Sequence, residues 1–160
     1  MIVYHSSNRI IERPDVEHSR MYLDFGKGFY VTKLEEQAIK YTKKFLKKGE
    51  KAFVNKYDLD DDWKQKYQVK SFDSYNQEWI DFVTANRLGK SVEVYDAVEG
   101  GIADDTVFET MDLYISGLIN IEEALRRLVY KKPNHQICFL KNEIINNALK
   151  YIGATEIKKQ

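Results

Sequence analysis

The chain has 160 residues, which fits one domain and is long enough to bury a core without a metal ion or a disulfide. Lys plus Arg and Asp plus Glu number 25 each, so there is no basic excess of the kind that indicates a nucleic-acid partner. The single cysteine, Cys138, excludes an intramolecular disulfide, and early charges without a long apolar run argue against a signal peptide or membrane span, so we expect a cytoplasmic protein.

The first half of the chain predicts short strands around one amphipathic helix. Apolar runs and period-two alternation predict strands at residues 2–5, 28–32 and 52–59. Apolar residues at helical spacing, with lysines on the opposite face, predict a helix over residues 34–48. The charged segment 60–70 predicts a solvated loop or an irregular turn.

The second half predicts helices separated by two strands. The helices are expected at residues 78–86, at 107–118, from Asn120 onwards and at 144–152 with Gly153 closing the last, and the strands at residues 92–98 and 137–140. Glu123 follows Asn120 at the spacing of a capping box. The strands lack the long apolar runs of a doubly wound parallel sheet, so we expect one α+β domain over residues 1–160 with a mixed or split sheet.

His5 ends the first predicted strand and is the first candidate for binding chemistry. Its two ring nitrogens can hold a ribose hydroxyl, while the adjacent Ser6 and backbone can hold an amide. A histidine that only satisfies its hydrogen bonds at a strand end is the alternative. His5, His18 and His135 show none of the short spacings of zinc sites, so no metal is predicted.

Residues 24–30 combine glycines with aromatic side chains. Gly26 and Gly28 allow close approach of the backbone to a ligand, and the rings of Phe25 and Tyr30 offer flat stacking surfaces. A cationic pyridinium suits Tyr30, because an aromatic face attracts cations. The alternative is a hairpin turn with core aromatics, and the segment lacks the third glycine of a dinucleotide fingerprint.

Gln136 opens a predicted apolar strand, an unusual position for a polar residue, although packing alone could place it there. Cys138 in the same strand is expected to be a buried core thiol.

Together these segments resemble the bacterial family known as domain of unknown function 3990, part of the ADP-ribosyltransferase-like group. They also resemble the His-Tyr-Glu layout of diphtheria-toxin-like ADP-ribosyltransferases. The resembling stretches are YHS at residues 4–6, DFGKGFYVT at 24–32, WIDFVTANR at 79–87, YDAVEGGIADD at 95–105 and NHQICF at 134–139. The resemblance implies an ADP-ribosyltransferase-like split, mixed or antiparallel sheet with flanking helices, and NAD as the substrate.

The resemblance also implies a role for each matching residue. His5 would hold a hydroxyl of the nicotinamide ribose, Tyr30 would stack on the nicotinamide, and Gln136 stands where better-known members carry the catalytic glutamate. A neutral amide stabilises positive charge on the ribose less well than a carboxylate, by roughly 1.5–3 kcal/mol, which would slow the reaction about 10- to 100-fold.

This departure leaves three alternatives open. Gln136 orients the ribose while another carboxylate assists, and Asp104 and Asp105 are then the candidates because they follow a glycine turn and precede a helix. Helix capping would account for one of these aspartates but not for both. Otherwise the enzyme is slow, or the chain is a non-catalytic module that binds a nucleotide or a protein.

Asn86 and Arg87 form a second polar pair, at the end of a predicted helix, and Arg87 is a candidate for the pyrophosphate. A salt bridge from Arg87 to an acidic loop is the alternative. Ser19 and Arg20 are further candidates of the same kind.

The sequence therefore predicts transfer of ADP-ribose from NAD to an unknown macromolecular acceptor, with release of nicotinamide. An NAD glycohydrolase, in which water replaces the acceptor, is a close alternative. The family context implies a toxin-like role, restrained by a small antitoxin-like partner protein encoded alongside. Neither a membrane nor a nucleic-acid partner is predicted.

Overall fold

Two sheets and six helices make up the part of the chain that the structure, a computed structural model, describes: residues 1–91 and 94–160. The strands are β1 Ile2–Ser7, β2 Phe29–Val31, β3 Phe53–Leu59, β4 Val69–Ser71, β5 Ala97–Gly100, β6 Gln136–Phe139 and β7 Leu149–Glu156. The helices are α1 Glu35–Lys47, α2 Trp63–Lys66, α3 Gln77–Arg87, α4 Asp105–Ile115, α5 Ile121–Leu128 and α6 Asn142–Ala148. The prediction of an α+β fold is confirmed.

The two sheets meet at one backbone bridge. One sheet is antiparallel in the order β1-β3-β7, and the other has the order β2-β6-β5-β4 with a parallel pair only at β4 and β5. Tyr4 and Thr32 exchange backbone hydrogen bonds of 2.8 and 2.9 Å between β1 and the end of β2. The bridge brings the strand that carries His5 beside the strand that carries Tyr30.

The four-stranded sheet separates two cores, because side chains alternate between its faces. Val98 and Cys138 face a core built with helices α3, α4 and α5. Phe29, Ile137 and Phe139 face the second core, which lies against the three-stranded sheet and α6. Cys138 is fully buried, so the expectation of a core thiol is confirmed.

Three helices begin at a polar side chain that accepts backbone hydrogen bonds, as sequence signals for a helix start require. Asn76 accepts from Trp79, Asp104 from Thr106 and Val107, and Asn120 from Glu123. The capping box at Asn120 is only half formed, because the Glu123 carboxylate binds Arg126 and Arg127 instead of returning to the cap.

The prediction of a loop over residues 60–70 is wrong. The segment holds α2 and β4, with Trp63 buried against the Phe139 ring at 6.0 Å between centroids. Strand β4 pairs with β5, which is 28 residues away at Val69 and Ala97. Such a long-range partner leaves no local pattern in the sequence.

The last helix was predicted too long. Helix α6 ends at Ala148, and the chain continues directly into β7, which pairs with β3. The strand predicted at residues 92–98 is also shifted: β5 begins at Ala97 and extends to Gly100. Residues 92–93 of that prediction lie outside the described residues.

No helix within the described ranges combines the length and the apolar character needed to cross a membrane.

Candidate functional site

An open cleft of about 1280 Å³ lies beside the junction of β1 and β2. Its lining includes eight of the residues proposed from the sequence: His5, Ser6, Ser19, Arg20, Gly28, Tyr30, Arg87 and Gln136. Pockets for drug-sized ligands usually measure about 300–1000 Å³, so this cleft can hold an extended ligand. The fold thus brings together segments that are up to 131 residues apart, from His5 to Gln136.

The tautomer of His5 follows from its neighbours. The ring Nδ1 lies 2.6 Å from the carbonyl oxygen of Tyr30, which can only accept, so Nδ1 carries the proton. Burial lowers the pKa of His5 to about 4, against the hydrogen bond to Tyr30 and with a smaller contribution from the charge of Lys44. At pH 7 the ring is therefore neutral, and its Nε2 carries a lone pair that can accept a hydrogen bond.

Tyr30 is fixed at both its backbone and its hydroxyl. The hydroxyl donates to the Gly26 carbonyl at 2.7 Å and accepts from the Phe25 amide at 3.2 Å. Burial raises the pKa of Tyr30 well above its usual value, so the phenol stays neutral. Phe25 stacks on Tyr30 with centroids 6.5 Å apart and is itself 1% exposed, so it supports the ring from the core.

The two glycines of this loop meet different needs. Gly26 has a φ of 98°, which a residue with a side chain rarely adopts. A Cβ at Gly28 would collide with the backbone of Phe139 and the thiol of Cys138. The absence of a side chain at Gly28 therefore lets the start of β2 pack closely on β6, which is a structural reason for glycine at this position.

Gln136 is the first residue of β6, and the strand start is held by side chains around it. Gln37 accepts from the His135 amide at 3.1 Å and donates to the His135 carbonyl at 2.8 Å. Asn134 accepts from the Ile102 amide at 2.8 Å. Within the described part of the chain, the side-chain amide of Gln136 has no hydrogen-bond partner, so it is available to a ligand.

Behind this strand lies an ionic network that the sequence did not reveal. His135 accepts from the Lys33 amide through Nδ1, so its Nε2 carries the proton that it donates to Glu99 at 3.0 Å. Burial alone would raise the pKa of Glu99, but His135 and Lys64 lower it to about 2. Glu99 pairs with Ile137 across the sheet, so this network lies on the face opposite Gln136.

Arg87 and Asn86 both bind Asp24. The Arg87 guanidinium lies 2.7 and 2.8 Å from the Asp24 carboxylate, and each side chain is only 13% exposed. Asp24 also accepts from the Ala103 amide at 2.8 Å, and its carbonyl accepts from Asn86 at 3.0 Å. Asp24 therefore ties the Phe25–Tyr30 loop to the end of α3 and to the turn before α4, and Arg87 is engaged in that pairing.

Asp104 and Asp105 lie at the start of α4, outside the cleft lining. Asp104 caps the helix, and although burial acts the other way, hydrogen bonds from Val107 and Thr106 lower its pKa. The carboxylates that line the cleft are those of Glu12, Asp15, Asp24 and Asp112. Asp15 binds His18 and Asp24 binds Arg87, whereas no hydrogen bond or ion pair engages the carboxylate of Glu12 or of Asp112 within residues 1–91 and 94–160.

The connection from β1 to β2 forms much of the cleft wall. Asn55, fully buried in β3, accepts from the Ile11 amide at 2.8 Å and donates to the Arg9 carbonyl at 3.1 Å. The Tyr57 hydroxyl donates to the Ile11 carbonyl at 2.6 Å. The sequence signal for this anchor is that polar Asn55 alternates in phase with the aromatic residues Phe53 and Tyr57 of β3.

Three arginines on the same connection line the cleft: Arg9, Arg13 and Arg20. Their guanidinium groups form no ion pair with any described residue, so they can bind an anionic group of a ligand. No three His, Cys, Asp or Glu side chains within the described ranges are grouped to hold a metal ion.

One family model matches the chain, over residues 1–151, and its description is "Protein of unknown function (DUF3990)". No curated protein and no solved structure gives a significant match.

Proposed function

Because the chain belongs to the DUF3990 family, whose description assigns no activity, we propose from the cleft itself that the protein binds NAD and transfers its ADP-ribose to a macromolecular acceptor. Nicotinamide is the leaving group, and the fold is an ADP-ribosyltransferase-like one. The observation that carries the proposal is the pairing of His5 with the Tyr30 backbone in a cleft that also contains Gln136.

His5 holds a hydroxyl of the nicotinamide ribose. Its protonated Nδ1 donates to the Tyr30 carbonyl, so the Nε2 lone pair accepts a hydrogen bond from the ribose hydroxyl. The low pKa of His5 keeps this lone pair available throughout the physiological range. Tyr30, held by Gly26 and backed by Phe25, offers a fixed ring on which the cationic nicotinamide stacks.

The pyrophosphate is bound by the β1–β2 connection. Arg87 is engaged with Asp24, whereas the guanidinium groups of Arg9, Arg13 and Arg20 have no ion-pair partner among the described residues and line the cleft. Guanidinium groups suit phosphate oxygens, because their fork of donors matches the spacing of two oxygens.

Gln136 orients the ribose through its amide and carries no charge to stabilise the developing oxocarbenium ion. An assisting carboxylate would come from Glu12 or Asp112, which line the cleft, more readily than from Asp104, which caps α4. The neutral Gln136 also favours a second candidate, a module that binds NAD or another nucleotide without turnover. The toxin-like role and the small partner protein rest on the family resemblance alone.

NAD binding is tested first. We expect millimolar NAD to raise the melting temperature of the protein, because a ligand that binds only the folded state stabilises it. His5→Ala should abolish the shift, whereas Tyr130→Ala, a change at a 92% exposed residue outside the cleft lining, should leave it intact. An equal NAD shift in wild type and His5→Ala would remove the basis of the proposed site.

Catalysis is tested by release of nicotinamide, with and without cell extract. Release that requires extract indicates a transferase, release without it a glycohydrolase, and silence in both the binding module. Gln136→Glu should accelerate release about 10- to 100-fold if the missing charge limits the rate. Mass spectrometry of extract proteins and nucleic acids after incubation with labelled NAD identifies the acceptor.

A further inference from the structure

Tyr22 is held in a backbone conformation that large residues avoid. Its φ is 63°, and it is the one non-glycine residue with positive φ in the described chain. Its side chain is 59% exposed and lines the cleft, so burial of the ring does not account for the strain. Strained residues of this kind concentrate at ligand-binding positions, where the surrounding structure holds them in place.

The ring of Tyr22 lies on Gly89, at the end of α3. Gly89 has a φ of 68° and is followed by a backbone hydrogen bond of 2.8 Å from Lys90 to Ala85, which closes the helix. A Cβ at Gly89 would lie 2.7 Å from Cε1 of Tyr22. The glycine thus ends the helix and also leaves room for the ring.

Other exposed apolar groups surround this end of α3 and line the same cleft. Leu88 is 48% exposed and Phe108 is 52% exposed, with the Arg87 guanidinium 4.6 Å from the Phe108 ring centre. Arg20, two residues before Tyr22, contributes a guanidinium that has no ion-pair partner among the described residues. A flat aromatic ring close in sequence to a free guanidinium is the chemistry that binds a planar base attached to phosphate.

We propose that Tyr22 is the stacking platform for the purine base of a nucleotide. The identification of this base as the adenine of NAD rests on the proposed function. Arg20 binds the phosphate that carries the base. The strained backbone at Tyr22 and the open face of Gly89 hold the ring in the cleft before the ligand arrives. The nicotinamide end of the same dinucleotide lies at His5 and Tyr30, so the two rings of NAD use separate aromatic supports.

The test compares ligands that contain either half of NAD, by calorimetry on the full chain. Tyr22→Ala should bind ADP-ribose and AMP about tenfold more weakly than wild type, whereas Tyr22→Phe keeps the ring and the affinity. Nicotinamide mononucleotide, which has no purine, should bind Tyr22→Ala and wild type equally. Gly89→Ala, which displaces the ring, should weaken ADP-ribose to a similar extent.

Tyr22→Asn separates a binding role from a structural one. Asparagine tolerates positive φ, so this variant should melt at the wild-type temperature or above it while binding ADP-ribose about tenfold more weakly. A lower melting temperature with unchanged ADP-ribose affinity would show a purely structural role and overturn the proposal. Affinities for ADP-ribose and AMP within twofold of wild type in Tyr22→Ala, or no binding of either ligand by wild type, would also overturn it.

Failure of the proposed function gives a different result. If NAD and nicotinamide mononucleotide do not bind but AMP binds in a Tyr22-dependent way, the purine platform stands and the NAD site at His5 falls. If His5→Ala weakens binding of nicotinamide mononucleotide and Tyr22→Ala leaves the AMP affinity unchanged, the NAD site at His5 is supported and the purine platform is not.

Discussion

At the scale of single residues, the chemistry of His5 depends on what surrounds it rather than on its place in the sequence. The Tyr30 carbonyl fixes the proton on Nδ1, and burial lowers the pKa to about 4. A histidine at an exposed strand end would titrate near pH 6.5. The sequence could nominate His5, but only the packing of β1 against β2 assigns its tautomer and charge.

The lowered pKa of His5 makes stability depend on pH. Between pH 6.5 and 4 the unfolded chain binds a proton at His5 that the folded protein does not, so stability is complete above pH 6.5 and falls as the pH drops to 4. The loss attributable to His5 is up to about 3 kcal/mol. Urea unfolding at pH 7.5 and 4.5 measures it.

His5→Asn provides the comparison for that measurement. The variant should lose less stability than wild type between the two pH values, because it has no ring to titrate. NAD binding by wild type should also weaken as the pH approaches 4, because protonated Nε2 no longer accepts a hydrogen bond. Identical pH profiles for wild type and His5→Asn would show that the pKa of His5 is not shifted on folding.

At the scale of elements, Asp24 connects three parts of the chain that are far apart in the sequence. Its carboxylate binds Arg87 at the end of α3 and the Ala103 amide before α4, and Asp24 itself begins the loop that leads to β2. Sequence reasoning placed Arg87 against the pyrophosphate or against an acidic loop. The structure shows the second pairing.

Arg87→Gln should therefore cost stability. It leaves the largely buried Asp24 carboxylate without its countercharge, which we expect to lower the free energy of unfolding by about 3 kcal/mol. Arg126→Gln is the matched control, because the Arg126 side chain is 70% exposed and a solvent-exposed ion pair such as Arg126–Glu123 contributes little to stability. Urea unfolding of both variants compares the two losses.

The double variant Asp24→Asn with Arg87→Gln distinguishes the structural role from phosphate binding. It should recover part of the stability, because no unpaired charge remains. NAD affinity should recover with it. A double variant that is stable and yet still binds NAD as weakly as Arg87→Gln would mean that Arg87 contacts the ligand directly.

At the scale of the whole molecule, the C-terminal strand determines whether the three-stranded sheet is complete. Strand β7 pairs with β3 from Leu149 to Glu156, and Tyr151 packs on Tyr57 with centroids 5.8 Å apart. Without β7, the central strand β3 would become an edge with unpaired backbone groups.

Truncation after Ala148 should accordingly prevent stable folding. We expect the shortened chain to aggregate or to lose its cooperative thermal transition, since β3 also carries Asn55 and Tyr57, which anchor the cleft wall. Truncation after Ile157 removes only three exposed residues and should melt like wild type. Size-exclusion chromatography and circular dichroism melts measure both chains, and a native-like melt of the shorter one would contradict this account.

The sequence by itself determined the elements whose signals are local. Apolar periodicity located α1, α3, α4 and β3, the polar cap at Asn120 located the start of α5, and the apolar setting of Cys138 indicated a buried strand. It also nominated His5, Tyr30 and Gln136, which the fold brings into one cleft. These features depend on residues within a few positions of each other, so they can be read without the fold.

Only the tertiary structure decided the features that depend on distant partners. Strands β4 and β7 form because β5 and β3 offer unpaired edges, although the local pattern of residues 144–152 is helical. The structure also pairs Arg87 with Asp24, which lies 63 residues earlier in the chain. It leaves the guanidinium groups of the β1–β2 connection without ion-pair partners among the described residues and gives Tyr22 a positive φ, and neither feature is visible in the sequence. The physical reason is the same throughout: backbone pairing, burial and charge compensation between distant segments outweigh weak local propensities.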